Sequence, residues 1–169
     1  MKKVCAWCKK TLGQVNGNPL GHFTITHGIC RKCRDAVISS SPKDIHDFLD
    51  KLPVPVILIE PGLSVRTANQ LAQNVLGKDL DEIMDHSSGD VLGCIYSKKP
   101  GGCGKDIHCK SCAIKHAVTE TFKTGKGFKD IPAYPDFEFY SSIKHPSYRI
   151  STEKFGYVVL LSINEVSGT

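Results

Sequence analysis

The chain has 169 residues, 40% of them hydrophobic and 23% charged, with a formal net charge of +5. That length can bury a real core, and the two longest apolar runs, residues 54–59 and 157–163, are strand-sized, which excludes a bilayer-spanning helix. The positive charge is uneven: Lys2, Lys3, Lys9, Lys10, Arg31, Lys32 and Arg34 face a single acid, Asp35, in residues 1–40, and the rest of the chain nearly balances.

Eight cysteines fall into two sets of four, with a long cysteine-free stretch between them. Four thiolates fill a tetrahedral zinc site or hold an iron–sulfur cluster. Disulfides are the competing use, but they belong to small secreted domains with thin cores. Met1-Lys2-Lys3 runs straight into Val4-Cys5, with no apolar stretch of signal-peptide length, so a reduced, cytoplasmic, metal-binding protein is the expectation.

In chain order, Cys5-x2-Cys8 and Cys30-x2-Cys33 come first, with 21 residues between the pairs. Each pair reads as a zinc knuckle, and a unit of about 40 residues needs metal to supply its folding free energy. His27 could replace a thiolate, yet four cysteines already close the site, so a turn or outer role is expected for it. A thiol-redox reading of Cys5-Ala6-Trp7-Cys8 would need a preceding strand, and the few residues before Cys5 are not expected to form one. No CxxC pair is followed by histidine, so c-type haem attachment is excluded. A zinc bound by four thiolates carries about −2. The local basic residues are therefore expected to offset the site's own charge, with nucleic-acid binding as the alternative. The motif C-A-W-C…H-G-I-C-R-K-C resembles a small zinc-ribbon-like module attached to bacterial signalling proteins.

Ser41-Pro42 starts a helix, Ser as N-cap and Pro at N1. Ile45, Phe48, Leu49 and Leu52 recur at helical spacing until Pro53 and Pro55. Residues 41–52 are expected to be a linker helix, packing in cis or forming a dimer seam. Beyond it, residues 54–60 and 63–67 read as strands around a Pro61-Gly62 turn, 68–76 as a helix closed by Gly77, and 80–84 as a further helical turn. Residues 111–123 form an amphipathic helix with Ile114, Ala117, Val118 and Phe122 on one face. Residues 137–143, 148–152 and 157–166 read as three more strands.

Two strands, helices, then three strands is the order of a PAS domain. The stretch V-P-V-I-L-I-E-P-G-L-S-V-R-T-A-N-Q-L-A-Q-N-V-L-G (54–77) resembles the PAS opening, with Asn69 at the start of the first helix. G-Y-V-V-L-L-S-I-N-E-V-S (156–167) resembles the last PAS strand, with Asn164-Glu165-Val166-Ser167 where that family has D-[IV]-T. The resemblance implies an α+β fold: a zinc-ribbon-like unit over 1–40, the linker helix over 41–52, and a PAS-like antiparallel sheet with flanking helices over 53–169.

Within that domain, residues 94–112 carry the second set: Cys94, Cys103, Cys109 and Cys112. Gly101, Gly102 and Gly104 surround Cys103, and Cys109 and Cys112 are expected in the first turn of the next helix, where the dipole stabilises thiolates. The pattern C-x8-C-G-x4-C-x2-C is similar to a cysteine-containing variety of PAS domain in bacterial sensors. Zinc comes first among its occupants, with an iron–sulfur cluster, reversible disulfides and metal-free thiols as alternatives. His108 and His116 are expected to face solvent. No phosphate-gripping loop, nucleophile elbow or carboxylate pair is present, and nothing marks one cysteine as a nucleophile, so no catalytic residue is assigned. The expected function is a non-catalytic bacterial sensor with two four-cysteine centres. It would relay a redox or small-ligand signal to a signalling partner or within a homodimer, away from any membrane. A nucleic-acid-binding zinc adaptor is the alternative.

Overall fold

A computed structural model describes residues 2–14, 25–38, 42–135 and 147–167. The chain divides into two units, Met1–Leu52 and Pro53–Thr169. In the first, β1 (Lys2–Cys5) is the middle strand of a three-stranded sheet, flanked by β2 (Thr11–Gln14) and β3 (Ile25–Gly28). β1 pairs antiparallel with β2 and parallel with β3, where Cys5 lies opposite Gly28. A strand before Cys5 was not expected. Four residues are too few to read as a strand alone, and here they take their pairing from both neighbours.

The helices α1 (Arg31–Ile38) and α2 (Pro42–Leu49) complete this unit. Pro42 opens α2, and Ile45, Phe48 and Leu49 are buried, so the apolar stripe read from the sequence is the face that leaves water. The Phe48 ring meets Trp7 at 5.1 Å between centroids. In its contacts α2 groups with the first unit, Met1–Leu52.

The second unit is built on a five-stranded antiparallel sheet in the order β5-β4-β8-β7-β6. Its strands are β4 (Val56–Ile59), β5 (Val65–Ala68), β6 (Ile131–Ala133), β7 (Ser147–Phe155) and β8 (Val158–Ser167). All four residues of β4 are buried, which explains why Val-Ile-Leu-Ile shows no polar alternation. β7 does alternate, burying Tyr148, Ile150 and Thr152. Between β5 and β6 come α3 (Gln70–Leu76), α4 (Leu80–Ile83), α5 (Ser88–Val91), two 3₁₀ turns (Ile95–Lys98 and Ile107–Lys110) and α6 (Ala113–Thr124). This is the order of two strands, helices and three strands that the PAS resemblance implied. The strand expected over 137–143 lies outside the described residues. β6 sits earlier than that, and its Pro132 is tolerated because β6 is an edge strand.

The core joins both layers: Ile57, Ile59 and Val65 from the first hairpin, Ile114 and Val118 from α6, and Ile150, Val159, Leu161 and Ile163 from the last. α6 presents its expected stripe and adds Thr121, whose hydroxyl meets Thr152 Oγ1 at 2.8 Å, so neither buried hydroxyl is orphaned. Asn69 ties two elements together. Fully buried, its Oδ1 accepts from Val56 N at 3.0 Å and Ala72 N at 2.9 Å, while Nδ2 donates to Val54 O at 2.9 Å. One side chain thus caps α3 and pins it to the start of β4.

Asn69→Ala removes the cap and leaves two buried N–H groups without that acceptor. Urea unfolding followed by circular dichroism should show a loss of about 2 kcal/mol. A midpoint equal to that of the parent would show that the bridge contributes nothing.

Candidate metal centre

The first four cysteines arrive from two junctions. Cys5 ends β1 and Cys8 lies in the turn that follows; Cys30 immediately precedes α1 and Cys33 lies in its first turn. The parallel pairing of β1 with β3 brings the two junctions side by side. The first knuckle is closed by Cys5 N donating to Lys10 O at 2.7 Å, Lys9 N to Cys5 O at 2.9 Å, and Lys9 Nζ to Ala6 O at 2.7 Å. The result is a cluster in which all four sulfurs lie within 4.8 Å of one another. Cys8 and Cys30 are 3.7 Å apart. A tetrahedron with a metal–sulfur bond of about 2.3 Å has an edge of about 3.8 Å, so these thiols stand at the separation a four-thiolate zinc site needs.

Backbone N–H groups already point at sulfur: Cys30 N donates to Cys5 Sγ at 3.4 Å, and Cys33 N to Cys30 Sγ at 3.5 Å. Burial works to raise the Cys5 thiol, but the N–H groups of Cys30, Cys8 and Trp7, with the Cys8 thiol, overcome it and bring it down to about 6. Cys33 goes the other way, pushed up by burial and by the thiols of Cys30, Cys8 and Cys5. A divalent cation held by these four residues would replace the shared S–H contacts with metal–thiolate bonds. Cys5 and Cys33 are buried and Cys8 is exposed, which leaves a path for the ion. Lys9, Lys10, Arg31 and Lys32 are exposed around these ligands. The side chain of His27 lies outside the described residues.

The second set is arranged differently. Cys94 precedes the first 3₁₀ turn, Cys103 lies in the glycine-rich loop, and Cys109 is buried within the second 3₁₀ turn. Cys112 is the N-cap of α6, its sulfur accepting from Lys115 N at 3.5 Å. The first turn of α6 therefore holds neither Cys109 nor Cys112, because Cys109 lies inside a separate 3₁₀ turn that ends at Lys110 and Cys112 is the cap before the helix. Nor is Cys112 stabilised as a thiolate: burial pushes it up, outweighing the N–H groups of Lys115 and Ile114, with Cys103 and Cys94 adding to the rise.

All four of these cysteines line one cavity of about 260 Å³, together with Tyr96 and His108. Among the described residues, only the first set closes to mutual metal-ligating distance. Gly104, at φ 87°, turns the loop behind Cys103. At Gly89 in α5, a Cβ would stand 2.9 Å from Cys103 Sγ, so glycine is what lets that thiol sit against the helix.

At this site Asp106, Lys99, Lys115 and Gly89 were missed from the sequence. Asp106 caps the second 3₁₀ turn and accepts from His108 Nδ1 at 2.6 Å, while Lys99 stands 3.2 Å from its other oxygen. His108 N–H and ring, with Lys99, hold the Asp106 carboxyl down to about 2. His108 is half-exposed and stacks on Tyr96 at 4.2 Å, so it is a wall of the cavity as well as a solvent-facing ring. Lys115 reaches back to Gly104 O and ties α6 to the loop. An aspartate two residues before a histidine, ahead of a helical turn, was the available signal for the first of these. His116 is exposed and meets Phe128 edge-on.

No helix among the described residues is long and apolar enough to cross a membrane. No protein family is matched by the sequence, and no curated protein is matched. Solved structures to which the chain is similar include a photoactive yellow protein domain and PAS domains. One is the photoactive yellow protein domain of the sensor histidine kinase Ppr from Rhodospirillum centenum, 12% identical over 78% of this chain and 99% of that one, with a TM-score of 0.43. The PAS domain of nitrogen regulation protein NR(II) from Vibrio parahaemolyticus is 13% identical over 72% and 96%, at 0.44. The PAS domain of BvgS from Bordetella pertussis is 10% identical over 74% and 85%, at 0.44.

Trp7, the chain's one tryptophan, sits between two of the first four cysteines, with Lys51 Nζ 4.1 Å above its ring. Its fluorescence therefore reports on this unit. Stripping metal with a strong chelator should shift Trp7 emission to the red, and restoring zinc should reverse the shift. Cys33→Ser should show the stripped spectrum from the outset. Emission indifferent to chelator would remove metal from the account of this unit.

Proposed function

We propose that the chain is a non-catalytic sensory module. A zinc ion held by Cys5, Cys8, Cys30 and Cys33 organises its first unit. Its PAS-like second unit registers a redox or small-ligand signal in the cavity lined by Cys94, Cys103, Cys109 and Cys112, and passes it to a signalling partner or a second copy of the chain. The observation that carries this reading is the cavity itself: a chamber of about 260 Å³ opens inside the helical segment, beside the sheet, with four thiols in its wall. α6 connects the two, because Cys112 begins it and Ile114 and Val118 pack in the sheet's core. A change at the thiols thus has a mechanical route to β7 and β8, the longest strands of that sheet. A cytoplasmic setting, where thiols stay reduced, suits both sets.

The exposed Lys9, Lys10, Arg31 and Lys32 support a second reading, a nucleic-acid adaptor. We favour charge compensation, since these residues surround a site that becomes anionic once four thiolates hold a divalent ion. Nucleic-acid affinity at low salt that disappears on neutralising those four residues would reverse that preference.

Two measurements test the sensory reading. Metal analysis should find one zinc per chain that is lost in Cys8→Ser. Amide exchange should change along α6, β7 and β8 when the cavity thiols are oxidised or alkylated. Exchange altered only at the modified residues would mean that the cavity signals nothing.

A further inference from the structure

We propose that the cavity of the second unit is the seat of an iron–sulfur cluster, with Cys94, Cys103, Cys109 and Cys112 as its four ligands. The proposal deepens the sensory reading and depends on it for the cluster's role, not for its presence. The two thiol sets of this chain make the case by contrast. One closes until every sulfur lies within 4.8 Å of the others, as a single tetrahedral ion requires. The other keeps its thiols spread around about 260 Å³. A guest that brings its own bridging sulfides and several metal atoms spans such a space, and four-cysteine ligation is what these clusters use.

The surroundings fit an anionic, inorganic occupant. Leu63, Leu92 and Ile114 contribute apolar wall, which keeps water from a labile cluster. Residues 94–115 hold Lys98, Lys99, Lys105, Lys110 and Lys115 against the single acid Asp106. This local surplus of positive charge offsets four thiolates and their cluster. The Lys115 N–H already directed at Cys112 Sγ is the kind of contact that tunes a cluster's potential. The ligands are also set in place beforehand: Cys112 by its N-cap position, Cys103 by its seat against Gly89, and Cys109 by burial in the 3₁₀ turn.

Loading proceeds by ligand exchange. Each cysteine thiol gives its proton to a departing small thiolate as its sulfur bonds iron, and no electron changes hands.

The test offers the zinc-loaded full chain, under anaerobic conditions, a preassembled four-iron cluster held by small thiolates. After desalting, the protein should be coloured and should contain iron and acid-labile sulfide in equal amounts, with its zinc retained. Cys103→Ser and Cys109→Ser should abolish cluster uptake while keeping zinc and the Trp7 emission of the parent. Because either variant could fold poorly, the unmodified chain supplies a second measurement. Mass spectrometry after alkylation should show the four cavity cysteines protected by the cluster and reactive without it. Failure to take up iron and sulfide, or uptake that leaves those four thiols reactive, overturns the proposal. Uptake lost only in Cys8→Ser would move the cluster to the first set and overturn both metal assignments. Zinc loss in Cys8→Ser with cluster uptake intact would support both.

Discussion

The pairing of β4 with β8 brings together the two ends of the second unit. Val56 lies opposite Ser162 and Ile59 opposite Val159, so the first and last strands are neighbours at the middle of the sheet. Closing so long a loop costs entropy that grows only slowly with its length, and four fully buried β4 side chains repay it with roughly 1.5–3 kcal/mol each. Everything between these strands is held as a closed segment whose ends cannot separate. That segment is where the helices, the glycine-rich loop and the four cavity thiols reside. Asn69 then fixes the helical segment at its start, and the Thr121–Thr152 contact fixes α6 near its end.

With both ends held, the middle of the segment is free to be poor in regular structure. Two 3₁₀ turns and a glycine-rich loop contribute few apolar contacts of their own. Their shape depends on local polar bonds such as Asp106 with His108 and Lys115 with Gly104. A segment of this kind gains most from a ligand that cross-links it, because the ligand's binding free energy becomes folding free energy. The first unit obeys the same logic on a smaller scale. Three strands of four residues and two eight-residue helices bury little, and the four clustered sulfurs mark where further stabilisation enters.

The two thiol sets differ in geometry for a reason that lies in their scaffolds. Cys5 ends one strand and Cys30 follows its parallel neighbour by two residues, so strand pairing drives their knuckles together. Cys94, Cys103, Cys109 and Cys112 stand on turns and a helix cap that curve around a chamber. Packing against α5 and the core sets their separation. Identical residue types and counts thus give a compact cluster in one place and a lined cavity in the other.

Much of this was legible in the residues. Alternation in β7, the continuous apolar run of β4, the Pro42 start of α2 and the α6 stripe all follow from periodicity and from capping chemistry, which are local. The grouping of Cys5, Cys8, Cys30 and Cys33 was legible too, because CxxC spacing is itself local geometry and two such pairs need only one contact to meet. The strand character of Lys2–Cys5 was not, because it comes from partners on both sides. Nor was Cys112's place as a cap rather than within a turn, which depends on where the preceding 3₁₀ turn stops. The roles of Gly89 and Asp106 emerged only once Cys103 and His108 were placed beside them. Sequence by itself therefore determined the strongly patterned elements, β4, β5, β7, β8, α2, α3 and α6, and the CxxC knuckles, since those preferences are written in neighbouring residues. The short strands and α1 of the first unit, and the 3₁₀ turns, were not among them. Only the tertiary structure decided that one set of thiols converges while the other surrounds a cavity, because that distance is set by packing between segments distant in the chain.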